Sequence, residues 1–164
     1  MTVAGATSEA AARLASIPQI LKAGLLGGLV DFVYACGLAA LVLKRPVLSP
    51  WQGVASGWIG PAARDMGWAS AALGVATHFA IAIAMAAAYA LGAARLPLLV
   101  RQPVLGGALY GLVLYAVMYG IVLPLRFPQR FPRWDGLISV ADVAAHVGVG
   151  LAIALVLARA LSRP

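Results

Sequence analysis

Residues Leu137–Ala158 read LISVADVAAHVGVGLAIALVLA, a run in which Asp142 and His146 are the two strongly ionisable side chains. At about 1.5 Å of rise per residue a helix of this length spans roughly 33 Å, enough to cross a hydrocarbon core about 30 Å thick. A central aspartate costs about 2.5 to 3.5 kcal/mol on insertion scales, while each Leu or Val returns about 0.3 to 0.6. The segment therefore inserts with its polar residues turned toward other helices rather than toward lipid.

Three further stretches meet the same length criterion. The first runs from about Ala23 to Leu43 and stops at Lys44-Arg45-Pro46; the second runs from about Ala69 to Gly92, with Asp65 as its expected N-cap; the third runs from Pro103 to about Leu125. Pro103 suits a first helical turn, and Asp135 is the expected N-cap of the span that opens at Leu137. The expected fold is all-α, an integral membrane four-helix bundle forming a single membrane domain over residues 1–164. Residues 1–19 read as a polar N-terminal tail without the basic start of a signal peptide. Residues 44–68 read as an interfacial loop. Within it, Ser49-Pro50, then Trp51 to Ile59, then Gly60-Pro61 predict a short interfacial or slightly re-entrant helix, with an irregular loop as the alternative because of Gly53 and Gly57.

Composition agrees with this reading. Of the 164 residues 63% are hydrophobic and 10% charged, against roughly 25% charged in an ordinary soluble domain, which excludes a soluble globular protein. The net charge of +7 comes from twelve Lys and Arg scattered at the edges of apolar runs. That pattern flanks membrane spans and leaves no basic stripe for nucleic acid. The expected partners are membrane lipids and, through small-residue stripes, further copies of the chain, with no nucleic acid. The single cysteine, Cys36, lies inside an apolar run and offers neither an intramolecular disulfide nor a metal-thiolate cluster.

Four spans put both ends of the bundle on one side, here side A, together with the loop between spans two and three. Arg13, Lys22, Arg95, Arg101, Arg159 and Arg163 fall on side A; Lys44, Arg45, Arg64, Arg126, Arg130 and Arg133 fall on side B. The count ties, and the short basic loop Ala93 to Gln102 resembles a cytoplasmic connection, so side A and both termini are read as cytoplasmic, in a bacterial inner membrane. Trp51, Trp58, Trp68 and Trp134 all belong to side B. Trp51, Trp58 and Trp134, with Arg126, Arg130 and Arg133, are expected to contact lipid headgroups. The doublet Arg126-Phe127-Pro128-Gln129-Arg130-Phe131-Pro132-Arg133 predicts an extended path anchored on lipid phosphates, with an anion gate as the alternative.

Each span carries its polar residue on a stripe of small residues three or four apart: Gly24, Gly28, Asp31 and Ala35; Gly74, His78, Ala82 and Ala86; Gly107, Gly111, Tyr115 and Tyr119; Asp142, His146, Gly150 and Ala154. Such stripes let helices approach closely and should meet at the bundle centre. His78 and His146 each lie nine residues from their side B ends, about 13 Å deep. Asp31, Tyr34, Tyr115, Tyr119 and Asp142 fall in the same layer.

This layer admits three functions. It fixes helix register, with Thr77 and tyrosine hydroxyls as partners. Alternatively it is a proton or ion relay opening toward side B, in which histidine changes charge near neutral pH and Asp142, four residues before His146, stabilises an imidazolium there. A third possibility makes His78 and His146 axial ligands of a b-type haem; beyond that alternative no cofactor and no metal site is expected. No HExxH, CxxC or paired-carboxylate motif points to an enzyme, and no catalytic residue is assigned.

Trp51-Gln52-Gly53-Val54-Ala55-Ser56-Gly57, Gly60-Pro61-Ala62-Ala63, Ala71-Ala72-Leu73-Gly74, Thr77-His78-Phe79, Tyr89, Arg95-Leu96-Pro97 and Pro103 through Gly111 together resemble a widespread family of uncharacterised bacterial four-helix membrane proteins. The placement of His78 and His146 is more distantly similar to that in the YagU-like inner-membrane proteins, from which this chain departs in its short first loop. The resemblance covers roughly the middle half of the chain. It implies an inner-membrane location and a four-helix body, and carries no catalytic residue. The expected function is that of an inner-membrane protein using its Asp/His layer in proton-linked transport or envelope stress sensing. The alternatives are a structural or partner-subunit role without chemistry, and haem b binding.

Overall fold

The computed structural model describes residues 15–162, so most of the polar tail read at residues 1–19, with its Arg13, lies outside the described residues, as does Arg163. The described residues contain helices and turns and no strand. Helix α1 is Ile17–Gly37 and continues as a π-helical turn, Leu38–Val42; α2 is Ser49–Ile59, followed by a 3-10 turn, Pro61–Arg64; α3 is Gly67–Arg95; α4 is Leu98–Arg101. Helix α5 is Pro103–Val117, prolonged by a second π-helical turn, Met118–Val122, and by α6, Leu123–Arg126; α7 is Leu137–Leu161. Four stretches are long and apolar enough to cross a membrane, Ile17–Val42, Gly67–Arg95, Pro103–Arg126 and Leu137–Leu161. They coincide with the four spans read from the sequence, with α1 beginning about two turns earlier.

The helix ends follow local chemistry, with two corrections. Helix α1 starts where the Ser16 N–H donates to Gln19 Oε1 at 2.8 Å, with proline in the first turn. Asp65 does not cap α3, whose N-cap is Met66, and Asp135 does not cap α7, whose N-cap is Gly136 at φ 59°. The Asp135 carboxylate is held instead by Arg133, while its backbone N–H donates to Ser139 Oγ at 2.8 Å. A strong charge-assisted partner two residues away outcompetes the weaker capping bond.

The π-helical turn before Pro124 has a visible cause. Pro124 has no N–H for the Gly120 carbonyl, and the helix before it widens, with Leu123 N–H donating to the Met118 carbonyl five residues back. At the end of α1 the Leu43 N–H donates to the Leu38 carbonyl, and Lys44 then adopts a left-handed φ of 52° that turns the chain toward Pro46.

Packing is built on small residues. Helix α1 lies between α3 and α7, and α7 lies between α1 and α5. A Cβ on Gly24 would come within 2.5 Å of the Ile83 Cα, and one on Gly28 within 2.8 Å of the Phe79 ring, so α1 and α3 approach backbone to backbone at Gly24 and backbone to side chain at Gly28. Gly107, Gly111 and Gly150 bring α5 and α7 closer still, with backbone facing backbone. The stripes meet in pairs, α1 with α3 and α5 with α7, while Gly74 faces the α2 backbone at Trp51 and α1 meets α7 through Gly27; this leaves an outer face of Leu25, Leu29, Val33, Leu105, Leu109 and Val113 exposed. An interior of Ala and Gly under an apolar exterior is the arrangement expected when lipid, not water, surrounds the bundle.

The two halves of the bundle differ. Toward side A, Ala23, Ala86, Tyr89, Leu114, Ile153 and Leu157 form a packed core. There α3 and α5 meet through the Tyr89 and Tyr110 rings, 5.1 Å apart, and Tyr110 donates its hydroxyl to the Met85 carbonyl at 2.7 Å. Toward side B the space between α3 and the Met118–Arg126 continuation of α5 is a cavity.

Candidate functional site

The cavity measures about 1450 Å³ and extends from Met85 and Val149 to the side B ends of the helices. Asp31, Tyr34, His78, Tyr119, Asp142 and His146 all line it. Every long helix contributes, because each polar residue sits on the stripe that faces the bundle interior. Tyr115 lies outside the lining and packs behind it, stacked on Tyr119 with ring centroids 4.5 Å apart and edge-on to His146 at 5.6 Å.

Helix α1 organises the layer. Asp31 and Tyr34, one turn apart, reach to opposite neighbours: the Asp31 carboxylate lies 3.8 Å from His78 Nδ1 on α3, and the Tyr34 hydroxyl donates to Asp142 Oδ1 on α7 at 2.6 Å. Asp142 is 8% exposed, so this donor answers a group that is otherwise removed from solvent. The sequence suggested an Asp142–His146 pair on one helix face. In the structure His146 Nδ1 bonds the Asp142 backbone carbonyl at 2.9 Å, as an i, i+4 geometry permits, and the carboxylate turns to Tyr34. The close Asp/His side-chain pair is therefore Asp31 with His78, between helices.

His78 is held from several directions. Its Nε2 lies 2.9 Å from the Gly28 carbonyl, and its ring contacts Trp51 and Phe79 edge-on at 5.0 and 5.2 Å. With Nε2 on a backbone carbonyl and Nδ1 facing Asp31, both nitrogens are engaged. Iron ligation by His78 would sacrifice the Gly28 hydrogen bond, and the ring pocket is filled by indole and phenyl groups. Among the described residues no cluster of three or more His, Cys, Asp or Glu is placed to hold a metal ion.

Helix α2 forms in place of the irregular loop and folds back along the first turns of α3. A Cβ on Gly74 would lie 1.9 Å from the Trp51 carbonyl oxygen, which makes glycine obligatory at that crossing. Trp51 is 3% exposed, and its indole stacks on Phe32 at 4.5 Å. This corrects its expected place among lipid headgroups: the close backbone approach at Gly74 carries the indole into the slot between α1 and α3. Trp58 and Trp134 remain exposed at 66% and 63%, as an interfacial position requires. Trp58 also donates its indole N–H to Thr77 Oγ1 at 3.0 Å, so Thr77 serves α2 rather than His78.

The mouth is basic. Arg45, Arg64, Arg126 and Arg130, from three segments, line the cavity at side B. The segment Phe127 to Phe131 forms a tight turn rather than an extended path, with Arg130 and Phe131 N–H groups both donating to the Phe127 carbonyl. This turn swings Arg126 and Phe127 across to α2, where a Cβ on Gly57 would meet their side chains at 3.5 Å. Arg133 points away into its pair with Asp135. The sequence groups Arg126, Arg130 and Arg133 within one loop and leaves Arg45 and Arg64 as flanking charges. The available signal was that five of the six side B cations are arginine, the residue suited to binding oxyanions in a fork.

Comparison of the chain with protein-family models, with curated proteins and with solved structures finds no match.

Proposed function

We propose that this chain is a multi-pass protein of the bacterial inner membrane that binds a solute in the side B cavity and couples its movement to protons. The observation that supports this most is the joint presence in one cavity of Asp31, His78, Asp142 and His146, drawn from α1, α3 and α7. Ionisable residues are rare within spans and mark pathways or proton relays when they line a cavity. Closure toward side A by the alanine-rich core gives the one-sided access that a transport cycle starts from. The imidazole of His78 with the Asp31 carboxylate beside it offers a proton two adjacent sites.

The test needs no substrate. Purified protein is adsorbed in sealed vesicles on a solid-supported membrane and given a pH step from side B. Proton binding inside the membrane field should give a transient charge displacement, lost in a protein carrying Asp31→Asn and Asp142→Asn. A wild-type protein without that transient would overturn the proposal. A purely structural role for the layer has its own support, since the Asp31–His78 and Tyr34–Asp142 contacts tie α1 to both neighbours. It predicts that the same substitutions lower stability without removing a current. A homo-oligomer belongs to the proposal too, assembled through outer faces other than the buried glycine stripes.

A further inference from the structure

We infer that the solute is an anionic amphiphile, held by its phosphate or carboxylate headgroup at Arg45, Arg64, Arg126 and Arg130 with its apolar body in the cavity below. This deepens the proposed function and rests on its reading of the cavity as a binding site.

Charge is the first argument. Four arginines from three segments line one opening, and among the described residues none of them has a carboxylate within ion-pair distance; the ion pairs present are Asp31 with His78 and Arg133 with Asp135. Converging cations without counter-charges repel one another, a cost that an oxyanion ligand relieves through charge-assisted and bidentate hydrogen bonds. Deeper than the mouth the cavity carries Asp31 and Asp142. An anionic headgroup is repelled from that layer and attracted to the mouth, so the field along the cavity sets a single orientation for the ligand.

Wall chemistry is the second argument. Between the arginines and the polar layer the cavity is lined by Leu38 and Val122, beside the layer by Met118, and beyond it toward side A by Ile81 and Met85. A small hydrophilic anion would leave these walls wet. At about 1450 Å³ the space also exceeds the roughly 300 to 1,000 Å³ of ordinary small-molecule pockets. Two of the lining residues are methionines, whose flexible thioethers adapt to an apolar chain of variable shape. The cavity lies between α3 and the Met118–Arg126 continuation of α5, on the side B side of the Tyr89–Tyr110 contact.

The experiment is native mass spectrometry of the full-length protein in a non-ionic detergent. Phosphatidylglycerol, phosphatidylcholine of identical acyl chains, and inorganic phosphate are titrated separately. The expected result is one saturable phosphatidylglycerol per protomer, at least tenfold tighter than phosphatidylcholine or inorganic phosphate. An Arg45→Gln/Arg126→Gln protein should lose at least tenfold in affinity for phosphatidylglycerol, and Arg133→Gln, outside the cavity, should bind as the wild type. Equal binding of the two lipids overturns the proposal without reliance on any variant. Inorganic phosphate binding as tightly as the lipid overturns the amphiphile in favour of a free anion. Loss of affinity in Arg133→Gln equal to that in the double variant reduces the effect to general surface charge and overturns it as well. Failure of the underlying proton reading is distinguishable: the Asp31→Asn/Asp142→Asn protein would keep its lipid while wild-type protein gave no pH-step current. Failure of the ligand class alone leaves the current intact and the lipids undiscriminated.

Discussion

The crossing of α5 and α7 offers the sharpest mechanical test of the fold. A Cβ placed on Gly150 would lie 2.3 Å from the Gly107 carbonyl oxygen, 2.5 Å from the Gly111 nitrogen and 2.8 Å from the Gly111 Cα. All three are backbone atoms, so no side-chain rotation relieves the overlap. Ordinary contact begins at 3.4 Å, so Gly150→Ala must drive the helices apart by about 1 Å, a gap that forfeits a quarter to a half of the dispersion attraction along the seam. Overpacking of this kind costs about 1 to 3 kcal/mol, and a backbone-to-backbone clash belongs at the upper end. The better helix propensity of alanine returns about 1 kcal/mol. The expected net loss is about 2 kcal/mol, roughly a thirtyfold fall in the folding equilibrium constant. Gly37 provides the control, because a Cβ there meets nothing within 4 Å. Gly37→Ala should keep the propensity gain and raise stability by about 0.5 to 1 kcal/mol. Reversible unfolding in mixed micelles, followed by far-ultraviolet circular dichroism at increasing mole fraction of denaturing detergent, reads both. Equal stability of the Gly150→Ala and Gly37→Ala proteins would refute the close α5–α7 approach.

Three further outcomes follow from particular contacts. Trp51→Ala removes the stack on Phe32 and the edge contact with His78 and should cost about 3 kcal/mol, freeing α2 so that a cysteine introduced at Ala55 reacts with a water-soluble maleimide; Trp134→Ala, at an exposed site, should change stability by less than about 0.5 kcal/mol. The Tyr34–Asp142 hydrogen bond should appear in a double-mutant cycle of Tyr34→Phe and Asp142→Ala as a coupling of about 1 kcal/mol, and a coupling of zero would contradict the 2.6 Å geometry. Lys44→Gly relieves a left-handed backbone at φ 52° and should raise thermal stability by about 1 kcal/mol; an unchanged melting temperature would argue against the turn that sends the chain from α1 to α2.

Much of the architecture is written in residue order. Apolar runs of helical length between short basic or proline-bearing breaks dictate four spans, because no other backbone satisfies its own hydrogen bonds in hydrocarbon. Glycine and alanine at three- and four-residue spacing mark the faces that meet, and the polar residues riding on those faces mark a common layer. These properties are periodic and local, so they survive in one dimension.

What escaped were relations between segments. Nothing near Trp51 in the chain announces that Gly74 admits its backbone, yet that approach moves the indole from the membrane surface to the side of His78. The choice of Tyr34 over His146 as partner for the Asp142 carboxylate depends on which helix α1 adjoins and how it is rotated. Arg45 and Arg64 look like ordinary flanking charges until the turn after α6 brings Arg126 and Arg130 opposite them. The sequence by itself determined how many helices cross and which of their faces are inward, since hydrophobic period and helical rise settle both. Only the tertiary structure decided which polar groups touch and that a cavity with a basic mouth opens between α3 and the Met118–Arg126 continuation of α5, because those depend on the lateral order and splay of helices that local periodicity leaves free.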